Sequence, residues 1–169
     1  MIRPILQLGN ANLRKMSLPV RDFESDDLAR LIEDLSDTLK DAKRRFGYGR
    51  GIAAPQVGEL KRIIFIDTQV FKSPLINPKI ALASDATFEV WDSCLSFNLE
   101  FFVLVDRHHS IKVEYSDVKG KKKVKKAEGD LSELLQHEID HLNGILATDR
   151  IKDRKLIMTR SEWEKTFKS

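Results

Sequence analysis

Apolar residues recur at Leu28, Leu31, Ile32, Leu35, Leu39, Ala42 and Phe46, the three-and-four spacing that puts side chains on one face of an α-helix. Ser25 precedes this stripe as an N-cap, and Asp26 and Asp27 fall in the first turn. Lys40, Lys43, Arg44 and Arg45 lie near the end, where they suit the helix dipole. Gly47 and Gly49 stop the helix. The pattern changes after the Gly- and Ala-rich stretch Gly49–Gly58. Arg62–Asp67 and Leu75–Ile80 are short and rich in Ile, and Thr87–Ser96, Phe101–Val105 and Ser110–Tyr115 are β-branched and aromatic, so strands are expected there. Val118–Lys126 reads as a hairpin turn with a dense lysine run. Asp130 opens a second helix that runs to about Asn143 and ends at Gly144, with Asp130 and Glu133 at capping-box spacing. A short helix is expected near Arg160–Lys168. Helices flanking mostly antiparallel strands make an α+β fold.

Composition narrows the class. The chain has 169 residues, a length expected to form one domain, residues 1–169, with a core that needs no staples. Its single Cys excludes an internal disulfide and leaves a metal ligand, a nucleophile or an inert buried thiol. The net charge of +3 is too small to imply a specific nucleic-acid partner. No apolar run reaches the roughly 18 residues that span a bilayer, and the first residues do not resemble a signal peptide. A cytoplasmic protein with no membrane partner is expected.

The chemistry concentrates in Gln136-His137-Glu138-Ile139-Asp140-His141, an HExxH pattern on the second helix. Residues four apart share a helical face, so His137 and His141 can bind one ion, and Glu138 can reach a water beside it. A catalytic site wants a third protein ligand. Cys94, placed by its neighbours in a strand, fits that role better beside such a helix than as a buried apolar thiol. Asp140, His108 and His109 are the other candidates. Asp140 points about 100° around the helix from His141 and is expected to orient a ligand or a cap. His108-His109 reads as an exposed turn.

These residues converge on a family. The chain resembles the peptide deformylases over about residues 1–151. GRGIAAPQ at Gly49–Gln56 is similar to the family's Gly-x-Gly-(Ile/Leu)-Ala-Ala-x-Gln, DSCLS at Asp92–Ser96 to Glu-Gly-Cys-Leu-Ser, and QHEIDHLNG at Gln136–Gly144 matches the third motif throughout. The resemblance implies strands packed around a central HExxH helix. It also implies a hydrolase that removes formyl groups from the N-terminal methionine of nascent polypeptides. Cys94, His137 and His141 would hold one divalent metal, iron(II) in most of the family, with zinc, nickel or cobalt as substitutes. Glu138 would be the general base, and Gln56 with the backbone N–H of Leu95 would stabilise the oxyanion. Arg50, Gly51, Ile52, Ser93 and Glu133 would meet the substrate. Arg107 falls where the family pairs an Arg with the acid of the second motif. The implied partners are formylated nascent peptides and the ribosome surface, where the lysine run could sit.

Three departures surround the expected substrate pocket. Ser93 replaces Gly, Arg50 stands where many members have an apolar residue, and Glu133 brings a carboxyl onto the metal face of the helix. Arg50 and Glu133 could pair in a polar pocket. Otherwise Arg50 points to solvent and Glu133 serves only its capping box. A deformylase-like hydrolase with another N-acyl substrate, a non-catalytic metal-binding paralogue and a generic zinc peptidase are the competing functions. Glu138 argues against a purely structural metal site, and the upstream Cys and Gln motifs argue against a generic peptidase.

Overall fold

The computed structural model describes residues 1–168. Helix α1 spans Asp26–Phe46, capped by the Ser25 hydroxyl, which accepts from the Leu28 N–H, and by Gly47 in the left-handed conformation. Its apolar stripe, Leu28, Leu31, Leu35, Leu39 and Ala42, is buried against Ile52, Val57, Ile63 and Phe65. This is the packing the periodicity requires.

Among the described residues, eight strands form two antiparallel sheets. The larger runs β1-β2-β3-β6-β7, from β1 (Gly51–Ala53), β2 (Ile63–Asp67), β3 (Lys72–Ala83), β6 (Ser110–Ser116) and β7 (Lys122–Glu128). The smaller runs β4-β5-β8, from β4 (Thr87–Asp92), β5 (Phe101–His108) and β8 (Ile157–Thr159). Helix α2 (Gly129–Leu142) is buried on nearly all sides from Ser132 onward. Leu134, Leu135, Ile139 and Leu142 pack on Ile64, Ile66, Leu75 and Val113 of the larger sheet. A third cluster joins Leu13, Cys94, Phe97, Val103 and Val105. Helix α3 spans Arg160–Phe167.

Several boundaries differ from those expected. The Gly/Ala-rich stretch contains β1, because its glycines permit an edge strand to lie close to α2. The strand expected through Ser96 ends at Asp92, and Cys94 lies in a loop that enters a 3-10 turn, Leu95–Phe97. The lysine run belongs mostly to β7, and the turn covers only the residues before Lys122. β3 is longer than its Ile-rich centre, and β8 carries no clear alternation. Helix α2 starts at Gly129 without a side-chain cap, so the Asp130–Glu133 capping box does not form; Glu133 is drawn to Arg50 instead. Gly144 ends α2 at φ 71°, with its missing Cβ 2.5 Å from the Arg14 carbonyl oxygen. No other residue fits there without moving the backbone of the N-terminal segment.

Candidate active site

Helix α2 delivers His137 and His141 to one place because they are one turn apart. The loop after β4 brings Cys94 to meet them. His141 Nε2 lies 3.2 Å from both Cys94 Sγ and His137 Nε2, and one donor atom from each residue falls within 4.8 Å of the others. Two imidazole nitrogens and a sulfur converge here on one point. Ligands of a single tetrahedral ion, at about 2.1 Å for nitrogen, sit about 3.4 Å apart. The donor set therefore fits a metal ion.

The two histidines sit in opposite electrostatic settings. Burial alone would lower the His137 pKa, but Asp92 and Cys94 outweigh it and hold it well above the ordinary value. Asp92 sits 2.9 Å from His137 Nδ1, which favours a proton on Nδ1 and frees Nε2 to face Cys94. Asp92 is itself buried, yet His137 and Arg107 hold its carboxyl well below the usual range. Arg107 Nη2 donates to Asp92 at 2.8 Å and Nη1 to Asp140 at 2.6 Å. Asp140 also accepts two bonds from Arg150. Asp140 thus lies behind the donors, as its angle on the helix implied. Burial and the neighbouring His137 push His141 well below its ordinary pKa. His108 bonds the Ser84 carbonyl and exposed His109 stacks edge-on with Phe88, so neither joins the donors.

Glu138 is buried, with Oε2 lacking a protein partner. A Cβ on Gly51 would come within 2.5 Å of Glu138 Oε1, so only glycine lets β1 lie this close to the carboxylate. Burial pushes the Glu138 carboxyl up to about 7, with Asp92 and Glu133 adding to the rise against His137 and Arg50. The Gln56 side chain is oriented by the backbone of Ala53. Its Oε1 accepts from the Ala53 N–H at 2.8 Å, which turns Nε2 toward Ser96 Oγ at 3.2 Å and Cys94 Sγ at 3.4 Å. The Leu95 N–H opens the adjacent 3-10 turn, where no intrahelical acceptor is available.

Arg50 and Glu133 meet. Arg50 Nη2 donates to Glu133 Oε2 at 2.6 Å, and the Glu133 side chain is 5% exposed against 49% for Arg50. Burial raises the Glu133 pKa in spite of that pair. Ser93 Oγ donates to the Phe101 carbonyl at 2.7 Å, which ties the loop to β5. All three line a cavity of about 420 Å³ with Gly51, Gln56, Cys94, Leu95, His137 and Glu138. Ile52 is fully buried behind it. Tyr48, Trp91, Phe102, Arg160 and Trp163 also line the cavity, and no sequence pattern pointed to them. They come from four separate segments of the chain, with Arg160 and Trp163 together on α3, and carry no shared local signal.

The polypeptide deformylase family model matches residues 2–156. The chain is 38% identical to the peptide deformylase of Rhizobium meliloti, over 99% of this chain and 95% of the relative. It is 39% identical to that of Thermotoga neapolitana, over 90% and 88%. Among solved structures, the peptide deformylase of Thermotoga maritima superposes with a TM-score of 0.83 at 35% identity, covering 90% of this chain and 99% of that one. The Synechococcus elongatus peptide deformylase in complex with actinonin gives 0.83 at 34% identity, over 92% and 83%.

Proposed function

We propose, on the premise that this chain belongs to the polypeptide deformylase family, a division of labour among its own residues. The chain is a metal-dependent hydrolase that removes the formyl group from nascent polypeptides. The observation that carries the assignment of roles is the convergence of Cys94, His137 and His141 beside a buried Glu138 and the Gln56 amide.

Cys94, His137 and His141 hold the metal. When bound, a divalent cation supplies Lewis acidity and brings the pKa of water from 15.7 toward ~7. Glu138 accepts the proton of the attacking water and passes it to the departing amine. A carboxyl raised to about 7 can do both near neutral pH. The Gln56 Nε2–H and the Leu95 N–H donate to the oxygen that gains charge as the formyl carbon becomes tetrahedral. The Gln56 amide needs little reorientation, since the Ala53 N–H holds it in place.

The peptide backbone lies along β1. That strand ends its sheet and Gly51 lines the cavity, so β1 can pair with an extended chain at Gly51, while Ile52, fully buried, supports that edge from behind. Arg50, Ser93 and Glu133 meet the first side chain of the substrate, which is formylmethionine.

The resident metal is iron(II). A thiolate with two imidazoles accepts it, and also zinc, nickel or cobalt. The protein works in the cytoplasm at the ribosome surface. Among the described residues no helix is long and apolar enough to cross a membrane. Exposed Lys119, Lys121, Lys122, Lys123 and Lys126 supply the positive charge for an anionic partner.

Assay of anaerobically purified protein on formyl-Met-Ala-Ser, with metal analysis of the same sample, tests these assignments. Formate release that a chelator abolishes and iron(II) restores is expected. A metal-loaded protein that leaves the peptide formylated overturns them.

A further inference from the structure

We infer that helix α3 forms part of the substrate site, and that Trp163 takes an apolar, preferably aromatic, side chain from the residue after the formylated one. This rests on the deformylase reading above and extends it to the second residue of the peptide.

The family match ends at residue 156, and α3 begins at Arg160. Arg160 and Trp163 nevertheless line the same cavity as Gln56, Cys94, His137 and Glu138. An eight-residue helix has too few internal bonds to persist alone. Tertiary contacts hold α3 in position. Trp163 stacks on Phe102 with ring centroids 4.4 Å apart and planes 14° from parallel. Phe167 reaches Trp91 at 6.1 Å. The Arg160 guanidinium lies 4.5 Å from the Tyr48 ring centroid and 5.3 Å from that of Phe102, and it donates to the Leu99 carbonyl. The Tyr48 hydroxyl donates to Glu164.

These contacts reach the connection after α1, the end of β4 and the start of β5, so α3 bridges three separate parts of the cavity wall. None of its residues is fully buried. A helix that served the core alone would put its Trp out of reach; here Trp163 is half-buried and lines the cavity. The fully buried Cys94, His137 and Glu138 form the floor, whereas Tyr48 and Trp163 stand nearer the opening. Glu133 and Ser93 are closer to the floor. Glu133 offers an oxygen within 4.8 Å of a His137 nitrogen, and Ser93 adjoins Cys94. They meet the residue whose formyl group reacts. The aromatic wall meets the second residue of the peptide. An aromatic side chain can stack or pack edge-on against Trp163, while Ala leaves that surface uncovered.

The test compares full-length, metal-loaded protein on formyl-Met-Phe-Ser and formyl-Met-Ala-Ser. The ratio of kcat/KM, Phe over Ala, should be about three- to tenfold in the parent, the scale of one aromatic contact. It should fall to within about twofold in Trp163→Ala, chiefly through KM, and return in Trp163→Phe. A parent ratio of one, or a ratio that Trp163→Ala leaves intact, overturns the inference. Binding supplies a readout separate from turnover. In Glu138→Gln, formyl-Met-Phe-Ser should change the tryptophan emission more than formyl-Met-Ala-Ser does, and Trp163→Phe in that background should remove the excess. If the parent hydrolyses neither peptide, the deformylase reading fails. If it hydrolyses both and the emission is indifferent to the second residue, only the role of α3 fails.

Discussion

Arg50 on the approach to β1 and Glu133 on α2 are joined by a 2.6 Å ion pair inside the active cavity. The pair crosses from one wall to the other and makes that part of the cavity polar. One end is buried and the other half-exposed, so its strength lies between that of a surface pair and that of a fully buried one.

Removing one partner should destabilise the fold more than removing both. Arg50→Ile strands the Glu133 carboxylate and should cost about 1–3 kcal/mol in urea unfolding. Adding Glu133→Ile should recover most of that loss. A double-variant cost equal to the sum of the two single-variant costs would show that the pair is not coupled.

The same pair, with Ser93, should limit turnover of an apolar first side chain, because a charge facing it must be desolvated. Ser93→Gly, Arg50→Ile and Glu133→Ile combined should raise kcat/KM for formyl-Met-Ala-Ser by more than about twofold. A value within twofold of the parent shows that the pocket tolerates these residues without penalty.

Glu138→Gln should retain the metal, since Glu138 lies outside the three-donor group. It should lower kcat by about 10²-fold or more, the scale of a lost general base. Elemental analysis beside the rate measurement separates this from metal loss. Parental turnover in this variant would remove Glu138 from the mechanism.

Cys94→Ala should abolish the sulfur-to-cobalt charge-transfer band of a cobalt-substituted sample and lower metal content below one ion per chain. An unchanged band would mean that sulfur is not a ligand.

Asp92→Asn should weaken metal binding by about 10- to 100-fold, as loss of a partner that orients a ligating His does. Asp92→Glu restores the longer acid of the family motif and keeps the charge, so it should bind metal far better than the Asn variant. Competition with a chelator measures both. Equal affinity in parent and Asn variant would show that Asp92 leaves His137 unaffected.

Much of what depends on neighbours along the chain is legible in the sequence itself. The stripe from Leu28 to Phe46 predicts α1 because helical periodicity is a local property. His137, Glu138 and His141 lie within one turn and a half, so their common face follows from 3.6 residues per turn. The Gly-rich and Cys motifs carry the family resemblance in the same local way. Only the tertiary structure decided that Cys94 stands in a loop beyond its expected strand, and that Gln56, Ser96 and Ala53 form one hydrogen-bonded group. It also placed Glu133 on Arg50, 83 residues away, where spacing alone allowed a helix cap. Trp163 reached the cavity through β8, a strand of three residues too short to show an alternation. Such contacts depend on strand register and on how two sheets enclose α2, and these are settled by burial summed over the whole core. No window of adjacent residues contains that sum.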